Sequence, residues 1–179
     1  MSETDTLIPP DTLQRQRLIE AVVDEFEQPL LRYATRILRN GALAQDVVQN
    51  VFIKLFRQWQ PNQKASASLK PWLFRVAHNE AVDVIRSEER RKGLHRKWGE
   101  DARLGEDAVA LPDDERQAVF ASLEILTLEE RQVVLLRLQQ GMSYDDIATV
   151  VNRPRGSVGA MLHVAVKKLA DVMRRKEGV

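Results

Sequence analysis

Several runs of this sequence carry side chains whose types and spacing suit recognition of large partners. In Ala44–Phe56, residues Asp46, Gln49, Asn50 and Ile53 stand at i, i+3, i+4 and i+7, which places them on one side of a helix. Val48, Phe52, Leu55, Phe56 and Trp59 recur on another side and are expected inside. A polar face holding one isoleucine suits docking of another protein, although a solvated helix back with a stray apolar residue has the same pattern. In Lys70–Arg86, residues Arg75, Asn79, Val82 and Arg86 share an edge with His78 beside them, next to a polar loop, Asn62–Ser68. Cationic groups meet phosphates, amides read base edges, and the rings of Trp59 and Trp72 offer stacking, so this set suits single-stranded nucleic acid. At this spacing each tryptophan is more often a core residue. In Ser143–Ala170 a short helix, Tyr144–Val151, is followed by the turn Asn152-Arg-Pro-Arg155 and a longer helix from about Gly156. That is helix-turn-helix design, with Ile147, Ala148, Val151, Val158, Leu162 and Leu169 as its core. An ordinary helical hairpin is the plainer alternative.

The elements that position these groups read as helices almost throughout, because apolar residues recur every three or four positions. A first helix is predicted over Thr12–Glu27. A second follows Pro29, with Leu30, Leu31, Ala34, Ile37 and Leu38 as its stripe, and stops at Asn40-Gly41. A third spans Ala42–Trp59. A fourth, with Pro71 in its first turn, runs to about Arg91 and turns Leu73, Val76, Ala77, Val84 and Ile85 inward. Gly93–Asp114 has weak periodicity and many acids and reads as a linker. Beyond it, Thr127-Leu-Glu-Glu130 and Ser143-Tyr-Asp-Asp146 look like capped helix starts, and Gly141 ends a helix holding Val133, Val134, Leu136 and Leu138. The predicted architecture is all-α: a disordered tail (1–11), a helical domain (12–93), an acidic linker (94–114) and a second helical domain containing the helix-turn-helix (115–179).

The chain has 179 residues and a formal net charge of +1, but that charge is unevenly divided. Residues 1–60 carry −1, residues 61–98 carry +5, residues 99–130 carry −8 and residues 131–179 carry +5. Two basic blocks around an acidic one suit a polyanion touched in two places. Cysteine is absent, which excludes disulfides and Cys-ligated zinc. No glycine-rich phosphate loop occurs, and His78, His95 and His163 lie too far apart to suggest a local metal site. No nucleophile motif or acid pair stands out, so neither catalytic residues nor cofactors are expected. No apolar run has the length of a membrane span, and the first ten residues do not resemble a signal peptide, so a cytoplasmic protein is expected.

Gln45-Asp-Val-Val-Gln-Asn-Val-Phe52, with Trp72-Leu-Phe-Arg-Val-Ala-His-Asn79, Asp83 and Arg86, resembles region 2 of bacterial sigma factors, most of all the small extracytoplasmic-function group. Leu126-Thr-Leu-Glu-Glu-Arg-Gln-Val-Val-Leu-Leu-Arg137, with Gly141-Met-Ser-Tyr-Asp-Asp-Ile-Ala148 and Pro154-Arg-Gly-Ser-Val158, resembles region 4 of that group. The resemblance covers residues 25 to 175 and implies a chain that joins core RNA polymerase, recognises promoter DNA and helps open it. It implies that Asp46, Gln49 and Asn50, with Ile53 on their face, meet the polymerase. It implies that Asn62, Lys64, Ser66, Arg75, His78, Asn79 and Arg86 meet the single-stranded non-template strand at the minus-ten element. Ser157 and its helix would enter the duplex at the minus-thirty-five element, with Arg153, Arg155, His163, Lys167 and Lys168 around it. An anti-sigma factor is a further partner that the resemblance suggests. The sequence departs from the group in its recognition helix, where Gly159–Val166 holds no formal cation and charge returns only at Lys167 and Lys168. Arg153 and Arg155 are expected to supply the missing charge. The rival readings are a helix-turn-helix regulator acting without polymerase and a sigma-like helical interaction protein.

Overall fold

The computed structural model describes residues 10–58, 69–98 and 123–177. Among them the chain is helical: α1 (Pro10–Leu38), α2 (Gly41–Gln58), α3 (Leu69–Trp98), α4 (Leu128–Val134), which runs on into a π-helical turn (Leu135–Gln139), α5 (Tyr144–Val151) and α6 (Arg155–Glu177). The predicted loop Asn62–Ser68 and most of the predicted linker lie outside the described residues.

Pro29 does not divide α1 as expected. A proline inside a helix removes one backbone hydrogen bond and costs about 3 kcal/mol. On either side of it, Val22, Phe26, Leu30, Tyr33, Ala34 and Ile37 are all buried. Each large apolar side chain so buried returns roughly 1.5–3 kcal/mol, so packing outweighs the lost bond. The stop after α1 falls where it was predicted, but by other means. Arg39 takes the left-handed conformation at φ 55. The Asn40 side chain accepts from the Leu43 N–H at 3.0 Å, which makes Asn40 the cap of α2. Gly41 is then the first helical residue rather than the terminator.

The buried stripe of α2 is Ala44, Val47, Val48, Val51 and Leu55. Phe56, expected inside, is 56% exposed and lies under the Arg15 guanidinium, 5.0 Å from the ring centroid. α3 buries Leu73, Phe74, Ala77 and Ala81. It passes through Gly93, where the sequence predicts the linker to start. A glycine costs a helix about 1 kcal/mol, too little to end one flanked by strong helix formers.

In the second half both predicted starts form. Thr127 and Glu130 make a reciprocal capping box. The Ser143 hydroxyl accepts from the Asp146 N–H at 3.1 Å. Gly141, at φ 64, ends the preceding helix, with its N–H on Arg137 O at 3.1 Å and the Met142 N–H on Leu136 O at 3.1 Å. Leu138, expected in the apolar stripe, is 67% exposed. The wide turn, in which Gln140 N–H bonds Leu135 O at 3.2 Å, adds a residue and rotates Leu138 outward. Asn152, left-handed at φ 52, closes α5, and α6 begins at Arg155. The predicted helix-turn-helix core forms: Ile147, Val158 and Leu162 are buried, with Ala148, Val151 and Leu169 packed against them.

The buried residues of both halves form one contiguous cluster. α3 packs on α5, and α1 touches α4. Polar contacts cross the same seam. Lys70 Nζ donates to Gln140 O at 2.6 Å, and Arg39 pairs with Glu124 at 3.2 Å in the open.

Gly159 sits inside α6 beside Tyr144. A Cβ built there would meet the Tyr144 ring at 3.7 Å, which is ordinary contact. Gly159→Ala is therefore expected to stabilise the protein by roughly 0.4–1 kcal/mol, read as a rise in thermal midpoint. A fall would show that the glycine relieves a steric constraint.

Candidate nucleic-acid and protein interfaces

α2 presents Asp46, Gln49, Asn50 and Ile53 to solvent, on the side away from its buried stripe. Ile53 is 45% exposed. The face is anchored to its neighbour, because Asn50 Nδ2 donates to Glu80 Oε2 of α3 at 3.1 Å and Lys54 pairs with the other Glu80 oxygen. Sequence reasoning missed Glu80. Its partners lie 26 and 30 residues away, so no local spacing announces it.

On α3, burial of Leu73, Phe74, Ala77 and Ala81 sends Arg75, Asn79 and Arg86 outward, with Val82 half-buried among them. The predicted edge therefore exists, and Arg86 lies 3.8 Å from Asp83. His78 does not belong to it. His78 is 8% exposed, and its Nδ1 lies 3.3 Å from the Tyr33 hydroxyl of α1. Its spacing from Leu73, Phe74, Ala77 and Ala81 puts it on their side of the helix, so its place is in the core rather than against a DNA strand. Burial pushes the His78 pKa down to about 4, against a weaker opposing pull from Glu129 of α4. Neutral Nδ1 can then accept from Tyr33, whose own hydroxyl is held protonated by complete burial. Trp72 is half-buried against the core. Trp59, Asn62, Lys64 and Ser66 lie outside the described residues.

On α6, Ser157, His163 and Lys167 are exposed. Arg153, in the turn, is exposed and pairs with Glu129, and Arg155 lies 3.6 Å from Asp145. Pairs this exposed contribute little and exchange readily for phosphates. Lys168 is placed differently from the expectation. Its Nζ donates to both Glu130 oxygens at 2.8 Å, so it braces α6 on the capping box of α4. Burial works against the Glu130 carboxylate. The hydrogen bonds from Lys168 and the Thr127 N–H outweigh it and hold the carboxyl below its usual range. The Arg137 guanidinium fixes the approach to α5, donating to Met142 O at 2.7 Å and covering the Tyr144 ring at 5.3 Å. Among the described residues no cluster of ionisable side chains could hold a metal ion, and no helix is long and apolar enough to cross a membrane.

These surfaces coincide with two known segments. Residues 22–91 match the family model of sigma-70 region 2, and residues 116–169 that of sigma-70 region 4. The ECF RNA polymerase sigma factor SigL of Mycobacterium tuberculosis strain H37Rv is 32% identical over 160 residues, which cover 85% of this chain and 86% of SigL. The RNA polymerase sigma-H factor of Pseudomonas aeruginosa is 31% identical over 154 residues, covering 80% of this chain and 79% of that one. Among solved structures, the sigma factor RpoE in complex with the anti-sigma factor NepR, from Bartonella quintana, superposes with a TM-score of 0.67 at 22% identity. That match covers 87% of this chain and 98% of the other and shows a shared fold. A helix pair with an exposed polar edge, joined to a helix-turn-helix and matched by both models, defines a protein with sigma-70 regions 2 and 4. The chain belongs to the ECF RNA polymerase sigma factors.

The buried His78 has a measurable consequence. Its pKa is lowered from 6.5 to about 4, so below about pH 6.5 the unfolded chain binds a proton that the folded chain resists. Stability should fall as pH drops through that window, by up to about 2 kcal/mol at about pH 5. His78→Gln is expected to flatten this slope in thermal denaturation between about pH 7.5 and about pH 5. An unchanged slope in the variant would assign it to other groups.

Proposed function

We propose that the exposed side of α2 docks core RNA polymerase through Asp46, Gln49, Asn50 and Ile53, that the α3 edge of Arg75, Asn79 and Arg86 captures the non-template strand at the minus-ten element, and that α6 reads the minus-thirty-five duplex. The chain thereby brings polymerase to a promoter and helps open it, a regulatory rather than catalytic role. The observation that carries this reading is the separation of functions by helix face. On both α2 and α3 the core takes one side and leaves a polar side free. An anti-sigma factor is the further partner that membership of this family suggests.

The contact between the halves bears on how the chain works. The two promoter elements lie about 25 base pairs apart, which is roughly 85 Å at about 3.4 Å per pair. Yet α3 rests directly on α5. To read both elements at once, the halves must separate. The polar contacts across the seam resist separation only modestly: Lys70 Nζ donates to Gln140 O, buried Gln140 Nε2 has no hydrogen-bond partner among the described residues, and Arg39–Glu124 is largely solvated. Surface pairs of this kind contribute about 0–1 kcal/mol.

Asp46→Arg combined with Gln49→Arg is expected to abolish assembly with core polymerase while helical circular dichroism stays unchanged, since exposed substitutions alter stability by about 0.5 kcal/mol. Normal assembly would remove α2 as the docking face. Arg75→Ala with Asn79→Ala should impair opening of a duplex promoter more than binding of a pre-melted one, followed by permanganate reactivity on both templates. Equal defects would assign the edge to general phosphate contact.

A further inference from the structure

The side of α6 turned away from the protein has an unusual composition for a helix that meets DNA. Val158, Leu162 and Ala165 are buried and set its rotation. A helical step of about 100° per residue then puts Gly156, Ala160 and Lys167 opposite, with Val164 and His163 flanking that line on its two sides and Ser157 beyond Val164. All of these are exposed, and Val164 is 44% exposed. Between Arg155 and Lys167 the stripe holds no guanidinium, amide or fixed charge. Bidentate hydrogen bonding to guanine or adenine requires one of those groups, so this stripe cannot read purines in that way.

Cations stand at both ends of the stripe. Arg153 and Arg155 precede it and Lys167 follows it, all exposed. Charge at the ends and an apolar middle match a helix lying in the major groove. Its ends then meet the phosphate ridges and its centre meets base edges. An apolar protein partner would give the flanking cations nothing to neutralise. The apolar group that base pairs display in the major groove is the thymine C5 methyl. Small side chains at positions 156 and 160 also let the helix backbone approach the groove floor.

We propose that Ala160 and Val164 read thymine methyl groups in the minus-thirty-five element, so that this chain selects A·T pairs there by apolar contact. This rests on the reading of α6 as the duplex-reading helix and names what that helix recognises. Ser157 and His163 supply single hydrogen bonds at the margins, and Arg153, Arg155 and Lys167 set affinity without sequence preference.

The test uses core RNA polymerase loaded with the full chain. It is offered duplexes that carry a pre-melted minus-ten segment and a randomised upstream window, and the bound windows are sequenced. The expected windows contain adjacent A·T pairs. Deoxyuridine in place of thymine removes only the methyl, and it is expected to weaken binding about fourfold at each contacted position, the effect of returning one such group to water. Val164→Ala, an exposed change to a better helix former, should abolish that effect at one position and leave the others. Enriched windows made of G·C pairs, or binding indifferent to deoxyuridine, would overturn the methyl reading. No enrichment of any window would remove the duplex reading beneath it, and the proposal with it.

Discussion

A helix has one side to give to a core, and the surfaces proposed for recognition in this protein are what remains. Leu73, Phe74, Ala77 and Ala81 are fully buried, which fixes the rotation of α3 and leaves Arg75, Asn79 and Arg86 in water. Val158, Leu162 and Ala165 do the same for α6, and Ala44, Val47, Val51 and Leu55 for α2. Each large apolar side chain so placed contributes about 1.5–3 kcal/mol, so turning any of these helices to hide its polar edge would cost several such contributions at once. The orientation of the residues proposed for recognition is therefore set by the buried side of each helix, with Asn50 further tied to Glu80.

The polar groups divide into those that hold the fold and those left free to exchange partners. Glu130 serves Thr127 and Lys168 together, and with its side chain only 11% exposed it locks α4 to α6. His78 and Tyr33 lie inside the core, where α1 meets α3. By contrast, Arg153 and Arg155 are more than half exposed, on partners just as open, so a phosphate can displace Glu129 or Asp145 at little cost. Charge that looks similar along the sequence thus has opposite uses, decided by burial.

Much of this was legible in the sequence because helices have a fixed period and their ends have fixed chemistry. Thr127, Ser143 and Gly141 announced their turns, and the helix-turn-helix core followed from spacing. The polar faces of α2 and α3 were also readable. What was not legible depended on partners distant in sequence. Pro29 marks a break by every local rule, and only the shared core of Val22 through Ile37 overrides it. His78 reads as part of a basic edge until Tyr33 is found 45 residues earlier. Lys168 reads as a DNA contact until Glu130 is found 38 residues earlier. Phe56 and Leu138 failed for local reasons, the first because it lies off the centre of its stripe and the second because a π-helical turn shifts the period.

The central claim is that one chain reads two separated promoter elements with helices that touch when it is free. The chain has no cysteine, so paired labels can be placed by Arg39→Cys and Glu124→Cys, exposed residues whose side chains lie 3.2 Å apart across the seam. Their separation should be measured in the free protein and in the promoter-bound polymerase complex. The account predicts labels in near contact in the free chain and separated by tens of ångströms on the promoter, as elements roughly 85 Å apart demand. Labels that stay together on a promoter open at the minus-ten element would contradict it.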